Sequence, residues 1–515
     1  MREVTRVTLG ELVGAVDGAR IEGGGADTPL LNLEYDSRQV GPGDAFVAVS
    51  GERFDGHDFI PQVVQAGAVA VVVEEKRAGE FANLPVPRLV VPNGRTALAP
   101  LACAFYHNPT HHLYLAGVTG TNGKTTTTRM IDSIARAAGD TTGVIGTLGA
   151  TVAGRDLPGD RTTPEAPDLQ RLFSLMLHEG ASSAAMEVAS HALVLGRTEG
   201  CAFAVGVFTN LTQDHLDFHG TMEGYRDAKG KLFTDYVDAA NEVGKEFTAV
   251  LNSDDEAGRY YATLRADDAE WHHTLLYGTA LIERKKPHVY CEARTAVMKI
   301  DGLEFVAETP VGKIEVRLPF GGGFNVANAL AAIGYGVARG LSPEVIAKGL
   351  ANCPPVPGRF EPVRAGQEFA VLVDYAHTPD GLENVLRSAR PLTQGRVIVV
   401  FGCGGNRDRT KRPKMGRLAL ELADVAVVTS DNPRKEEPEA IIDEILTGMT
   451  GAGAQVLRES DRRAAIALAV QIAHPGDTVV IAGKGHETYQ IVGDQTFPFD
   501  DVQVAREEIE KCSAR

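Results

Sequence analysis

Residues 113–127, LYLAGVTGTNGKTTT, decide the fold class. The apolar run 113–118 reads as a short buried strand. The glycines at 117, 120 and 123 make a turn, and the chain from Lys124 onward reads as a helix. Strand, Gly-rich loop and helix in that order form a phosphate-binding loop, because main-chain N–H groups and the positive helix end attract phosphate oxygens. Lys124 would reach the β- and γ-phosphates of a nucleotide, and the Thr125 hydroxyl would bind Mg2+. The common spacing puts a glycine where Val118 stands; here the glycines fall elsewhere. The bland alternative, a Gly-rich turn that binds nothing, is disfavoured by the complete strand–loop–helix context. The expected ATP-binding set is Gly117, Thr119, Gly120, Thr121, Asn122, Gly123, Lys124, Thr125 and Thr126.

Outward from the loop, strand–helix alternation continues, with 184–188 and 204–208 as buried strands, which predicts a mostly parallel sheet with crossover helices. Residues 254–294 read as a polar, irregular insertion, and 324–337 as an Ala-rich helix. Upstream, an extended stretch at 45–49, a helix-like stretch at 61–66 and a strand at 68–73 make a small α/β domain. Downstream, Pro354, Pro355, Pro357 and Gly358 mark the entrance to a third, Rossmann-like α/β segment. Its four apolar strands, 370–373, 397–401, 425–429 and 478–481, run into DYAHTPDG, GCGGNRDR, SDNPRKEEP and AGKGHE. Open α/β sheets bind ligands beyond the carboxyl ends of their strands, so four such motifs argue for one shared site. The expectation is an α/β protein of three domains, 1–108, 109–341 and 342–515, as its 515 residues also suggest.

A formal net charge of −17 argues against nucleic acid as a partner and requires locally basic pockets for any anionic substrate. The six cysteines are scattered without a CxxC pair, which suits reduced thiols in the cytoplasm. The first twenty residues lack a signal-peptide core, and the apolar run near 66–73 is too short to span a bilayer.

Two further motifs bear on chemistry. In MEVASHAL, 186–193, Glu187 ends an apolar strand beside the phosphate loop, a natural Mg2+ ligand or else a buried, hydrogen-bonded carboxylate. In NLTQDHLDFH, 210–219, two Asp and two His could hold a metal, but the spacing is no zinc signature and solvated loop side chains fit equally.

Together GTNGKTT, MEVxSHAL, NLTxDHLDxH, FNVxNALAA, GRFE, DYAHTPD, GCGGNRDxxKRP, DNPR and GKGHE resemble the Mur ligases, over roughly residues 36–501. The resemblance implies that ATP converts a substrate carboxylate to an acyl phosphate, which an amino group attacks to give an amide, ADP and phosphate. It implies two Mg2+ sites, the first held by Thr125 and Glu187, the second involving His215. Lys229 matches the family's carbamylated lysine; without the resemblance it reads as an exposed helix lysine. Lys124, His215, Lys229, Arg359, Asp374 and His377 form the implied catalytic set. Asn325 and Asn328 resemble adenine-side asparagines, with Asn252 also lining the nucleotide. Arg359 matches a residue reaching the γ-phosphate, with Asp374 and His377 facing the same cleft. These third-segment residues are expected to stand far from Lys124 until domain closure assembles the site and excludes water.

Tyr35, Ser37, Glu52, Arg53 and Phe54 match positions that hold a uridine diphosphate. Thr162, Thr163, Ala189, Leu195 and Arg197 match contacts to the muramoyl-dipeptide, with Ala189 and Leu195 where relatives often carry Ser and Gln. In the third segment, Arg407 and Arg434 suit bidentate carboxylate recognition. Asp431 and Glu487 suit ammonium groups, while Asn432, Pro433 and the main chain at Gly483 supply neutral contacts. DNPR resembles the signature of the branch that adds meso-2,6-diaminopimelate to UDP-N-acetylmuramoyl-L-alanyl-D-glutamate. A sister enzyme adding L-lysine is the alternative. A regulatory nucleotide switch would need neither DNPR nor GKGHE, and folylpolyglutamate synthase shares the loop style but not the uridine-type start. A cytoplasmic monomer is expected.

Overall fold

The computed structural model describes residues 7–51, 54–157, 159, 161–264, 273–279 and 289–513, so Glu52 and Arg53 lie outside the described residues. The chain divides into two compact units: Met1–Thr119, Asp140–Gly206 and Arg226–Ala249 form one, and Gly120–Gly139, Val207–Tyr225 and Val250–Arg515 the other.

The first unit contains a five-stranded sheet in the order Arg20–Glu22, Arg88–Val91, Ala70–Glu74, Ala45–Val47 and Leu33–Glu34, parallel except at Arg20–Glu22. Every residue of Ala70–Glu74 is buried, so the sequence there is a continuous apolar run rather than an alternating one. Helix Gly94–Phe105 packs on this sheet through Leu98 and Leu101. Asn93 caps it by accepting the Arg95 and Thr96 N–H groups. The unit also holds the strand that feeds the phosphate loop. Tyr114–Thr119 pairs in parallel with Ser183–Glu187, which pairs in parallel with Thr142–Gly146. Gly149–Val152 and Arg155–Leu157 follow antiparallel. The register sets Glu187 level with Val118.

In the second unit, helix Lys124–Ala137 packs against helices Asn325–Ala338 and Pro343–Ala351. A Cβ on Gly349 would lie 2.5 Å from Ile134 Cα, so that crossing needs a glycine. Of the stretch 254–294 expected to be irregular, residues 265–272 and 280–288 lie outside the described residues; the rest includes helix Glu256–Tyr261, strand Thr274–Gly278 and the start of strand Val289–Lys299. The last continues into an antiparallel ladder with Gly302–Thr309 and Gly312–Leu318. Gly312–Leu318 buries alternate side chains, with Lys313, Glu315 and Arg317 on its exposed face.

The unit's six-stranded sheet runs Glu361–Pro362, Ala370–Asp374, Thr478–Ala482, Val397–Phe401, Val425–Val428, Gln455–Arg458, all parallel except the first. Helices Pro379–Ala389, Lys411–Leu422 and Pro438–Leu446 cover one face; Arg462–Ile472 and Asp501–Ser513 cover the other. Alternate residues serve each layer, Val397, Val399 and Phe401 against Ile398 and Val400. The last long strand, Thr478–Ala482, inserts between the first two, so all four motif-bearing strands end on one edge. Among the described residues, no helix is long and apolar enough to cross a membrane.

Candidate functional site

Close approach explains the loop's unusual glycine spacing. Gly120 has φ +148°, and a Cβ there would lie 1.9 Å from Thr209 Oγ1. Gly123 has φ +85°, and a Cβ would lie 2.3 Å from Asn328 Oδ1. The loop is braced by Thr209 and Asn210, just past a strand end, a role the sequence did not assign them. Thr121 N–H donates to Asn210 O at 2.8 Å, and Asn122 N–H to Asn210 Oδ1 at 2.9 Å. Asn210 Nδ2 and Thr209 Oγ1 both donate to Asn122 O, at 3.1 and 2.6 Å. Lys124 Nζ folds onto the loop's own carbonyls, Gly120 O at 2.9 Å and Thr121 O at 2.7 Å.

The expected asparagines gather here too. Asn328 lies against Gly123 in the phosphate loop, and its Nδ2 donates to Asn325 Oδ1 at 2.8 Å. Asn325 Nδ2 donates to Gly321 O at 2.7 Å. Asn252 is committed to the protein at both ends, donating to Thr209 O at 2.6 Å and accepting Asp254 N–H at 3.0 Å.

Residues from the six-stranded sheet already meet the loop, contrary to the expected separation. Arg359 Nη2 donates to Thr125 Oγ1 at 3.3 Å, and Asn122 Nδ2 to Asp380 Oδ2 at 2.5 Å. Arg359 is held locally: Gly358 packs so tightly that a Cβ would lie 2.1 Å from His486 N, and its carbonyl accepts Tyr375 N–H at 2.8 Å. Arg359 then lies over the Tyr375 ring, 4.6 Å from its centroid. Asp374 accepts Phe360 N–H at 2.7 Å, and burial raises its pKa to about 6 against the opposing pull of Arg359. Burial pushes His377 down to about 4, helped by Lys411, whose Nζ donates to His377 O at 2.7 Å. His486, which sequence reasoning passed over inside GKGHE, is likewise pushed to about 4 by burial, and its ring lies 4.9 Å from Tyr375.

His215 has φ +53°, 3.4 Å from Asp214 Oδ2, and the His219 ring lies 4.9 Å from Tyr225. Among the described residues, no three His, Cys, Asp or Glu side chains gather as a metal cage.

In the first unit, Glu187 is 1 % exposed and held by Thr147, whose N–H donates to Oε1 at 2.8 Å and whose hydroxyl donates to Oε2 at 3.1 Å. Thr162 Oγ1 lies 3.0 Å from the same hydroxyl. Thr163 Oγ1 donates to Glu187 O at 2.8 Å and accepts Ala189 N–H at 3.0 Å. Arg197 pairs with buried Glu165 at 2.9 Å and donates to Thr163 O at 3.2 Å. Two unpredicted arginines reach the same carboxylate, Arg95 at 2.7 Å and Arg161 at 2.6 Å. Arg95 also holds Leu195 O at 2.8 Å. Three guanidinium groups around one carboxylate leave a local positive surplus in an acidic protein. Tyr35 donates to Asp168 at 2.8 Å, Ser37 is half-buried and Phe54 is exposed. Lys229 is 1 % exposed, which excludes the exposed helix lysine read from its neighbours.

At the carboxyl ends of the third sheet, the GCGG and DNPR loops are stitched together by Gly405 N–H donating to Asn432 O at 2.9 Å. Fully buried Arg412 reinforces them, donating to Glu436 at 2.9 and 3.0 Å and to Gly404 O at 3.2 Å. It holds Glu436 down at about 2. Arg434 and Arg407 come together around Gly404: a Cβ there would lie 2.9 Å from Arg434 Nη1 and 3.8 Å from Arg407 Cγ. Gly483 has φ +122° and no room for a Cβ, which would lie 2.4 Å from Asp431 Oδ2. Asn432 Nδ2 donates to Glu487 Oε2 at 2.8 Å, and Glu436 N–H to Pro433 O at 3.1 Å. A hairpin of Tyr489–Val492 and Gln495–Pro498, which the sequence did not disclose, pins DNPR: Gln490 donates to Asp431 O, and Arg434 N–H to Ile491 O.

The chain matches the Mur ligase family, catalytic domain over residues 30–106, the Mur ligase middle domain over 118–336, and the Mur ligase, glutamate ligase domain over 358–485. The curated UDP-N-acetylmuramoyl-L-alanyl-D-glutamate--2,6-diaminopimelate ligase of Geobacillus thermodenitrificans is 48 % identical over 482 residues, covering 94 % of this chain and 95 % of its own length. A solved structure of a ligase with that name aligns over 99 % of both chains at 30 % identity and a TM-score of 0.67. The MurF ligase of Thermotoga maritima, solved in complex with ADP, shares the fold at 21 % identity and a TM-score of 0.63, covering 93 % of this chain and 97 % of its own.

Proposed function

The chain belongs to the Mur ligase family, and from that premise we propose that it is the ADP-forming ligase joining meso-2,6-diaminopimelate to UDP-N-acetylmuramoyl-L-alanyl-D-glutamate. The observation that carries the choice of amino acid is the mixed charge at one sheet edge. Arg407 and Arg434 flank Gly404, while Asp431 lies against Gly483 and Asn432 donates to Glu487. A second carboxylate and a second ammonium on one substrate match that pair of cations and pair of anions.

Mur ligases use ATP, and the loop has the features a polyphosphate needs. Its Thr121 and Asn122 N–H groups donate to Asn210, and the start of the helix at Lys124 presents main-chain N–H groups suited to phosphate oxygens. Lys124, now resting on carbonyls, turns to the phosphates when they arrive. Arg359, bonded to Thr125, adds a second cation where negative charge accumulates during transfer to the carboxylate. Mg2+, when bound, neutralises phosphate charge. Thr125 and Glu187 are its proposed ligands at one site, His215 and carbamylated Lys229 at a second. The fit rests on a carboxylate held by Thr147 and on Lys229 being buried rather than exposed on its helix. His377 is neutral at physiological pH and available to carry a proton.

Residues 1–108 are proposed to hold the uridine diphosphate through Tyr35, Ser37, Glu52, Arg53 and Phe54, 109–341 the ATP, and 342–515 the amino acid. Thr162, Thr163, Ala189, Leu195 and Arg197 are the proposed muramoyl-dipeptide contacts, the arginine cluster standing in for the Ser and Gln that Ala189 and Leu195 replace. The protein is proposed to act as a cytoplasmic monomer. Phosphate release with ATP, the UDP-muramoyl-dipeptide and a panel of amino acids tests the reading. Meso-diaminopimelate should be the preferred acceptor, and faster turnover of L-lysine would overturn that assignment.

A further inference from the structure

Lys484, between the two glycines of GKGHE, is fully buried. An ammonium removed from water persists only with close compensation. Its Nζ donates to Asn432 Oδ1 at 3.1 Å and to Glu487 Oε2 at 3.2 Å, and lies 5.5 Å from the Tyr489 ring centroid. Asn432 Nδ2 donates to the same Glu487 oxygen at 2.8 Å, and Ile491 N–H donates to Asn432 Oδ1 at 2.9 Å. Lysine, amide and carboxylate therefore close a triangle.

The triangle fixes the orientation of both partners. Turning the Asn432 amide over would set its NH2 against the Lys484 ammonium and the Ile491 N–H, so only one orientation satisfies the donors. Glu487 receives both bonds on Oε2, which leaves Oε1 as the oxygen outside the triangle. Glu487 itself is only half-buried.

We propose that Lys484 is a positioning residue for the amino-acid substrate, holding Asn432 and Glu487 so that Glu487 presents Oε1 to an ammonium group of the diamino acid. The inference rests on the ligase reading above. Lys484 is too deeply buried to touch the substrate and acts through its two neighbours. Without it, the Asn432 amide loses the cation that orients it and Glu487 loses its internal counter-charge. The carboxylate then swings between positions rather than meeting the substrate in one.

The test uses Lys484→Met, Glu487→Gln and the double variant in the full-length protein. KM is measured separately for meso-diaminopimelate, ATP and the UDP-muramoyl-dipeptide, and direct meso-diaminopimelate binding by calorimetry. Lys484→Met should raise the meso-diaminopimelate KM by about tenfold or more, with the other two KM values within about twofold. The double variant should be no worse than Glu487→Gln alone, because the lysine acts through that carboxylate. A merely structural lysine would disturb all three KM values together. An unchanged meso-diaminopimelate KM in Lys484→Met, or penalties that multiply in the double variant, overturns the inference. If Lys484→Met does not fold, the double variant, which strands no buried carboxylate, decides by the same comparison with Glu487→Gln. A parent protein that leaves meso-diaminopimelate unbound overturns the ligase reading and this inference with it. A parent that binds it beside an indifferent Lys484→Met overturns this inference alone.

Discussion

Replacing Asp374 with Asn separates what its charge costs the fold from what it contributes to the reaction. The carboxyl ends strand Ala370–Asp374, is 9 % exposed, and accepts Phe360 N–H at 2.7 Å. Burial raises its pKa from 3.8 to about 6, against the opposing pull of Arg359. Between those values the folded chain keeps a proton that the unfolded chain has released. Stability therefore falls as pH rises through that window and is level above it. A displacement of about 2 pH units corresponds to about 3 kcal/mol. Asn keeps an acceptor for the Phe360 N–H and carries no charge. Asp374→Asn should therefore exceed the parent in stability by about 3 kcal/mol near pH 8, narrowing to about 1 kcal/mol near pH 4.5. Paired urea unfolding of the two proteins across that range isolates the effect, because every other titrating group cancels in the difference. Turnover should fall by about tenfold or more, since Arg359 loses the charge that accompanies it beside Thr125. A margin that does not change with pH, or a variant less stable than the parent near pH 8, would refute the reasoning.

Lys124→Ala should lower kcat by about 10³-fold while leaving binding of the UDP-muramoyl-dipeptide intact, since only phosphate charge stabilisation is removed. Single-turnover phosphate release beside equilibrium binding checks it, and near-normal turnover would dismiss the role. Arg434→Lys should raise the meso-diaminopimelate KM by about 10- to 100-fold, because an ammonium cannot form the planar fork. An unchanged value with a raised ATP KM would place Arg434 elsewhere.

Strands buried on both faces were legible, because a continuous apolar run has few other readings. Residues 397–401 coincide with strand Val397–Phe401, and 370–373 fall one residue short of Ala370–Asp374. The phosphate loop was legible because its chemistry is local. What supports the site was not. Asn210 braces a loop 88 positions away, and Thr147 holds Glu187 across 40. Arg412 and Lys484 read as ordinary basic residues until the fold buries them. Lys484 reaches Asn432 because Thr478–Ala482 inserts between strands that precede it in sequence, which no local pattern announces. The antiparallel ladder ending at Leu318 did carry a signal, burial at every second residue of Gly312–Leu318, which a period-two count would have found.

Backbone strain supplies an independent argument for the site. Among the described residues, seven non-glycine residues have positive φ, and four of them are His215, Phe360, Asn406 and Arg434. His215 and Arg434 are themselves proposed to act; Phe360 and Asn406 immediately adjoin Arg359 and Arg407. A left-handed non-glycine residue costs on the order of 1 kcal/mol, which glycine would relieve. At Arg434 the surrounding structure enforces the conformation: its N–H donates to Ile491 O at 3.1 Å and its carbonyl accepts Gly493 N–H at 2.7 Å. A glycine would make the same two bonds with less strain. The turn therefore does not require arginine; the guanidinium does. At Phe360 the ring is fully buried and packs edge-on against Phe324 with centroids 5.8 Å apart, which fixes the backbone that aims Arg359. Strain at these positions falls within or beside the motifs proposed to bind ligands.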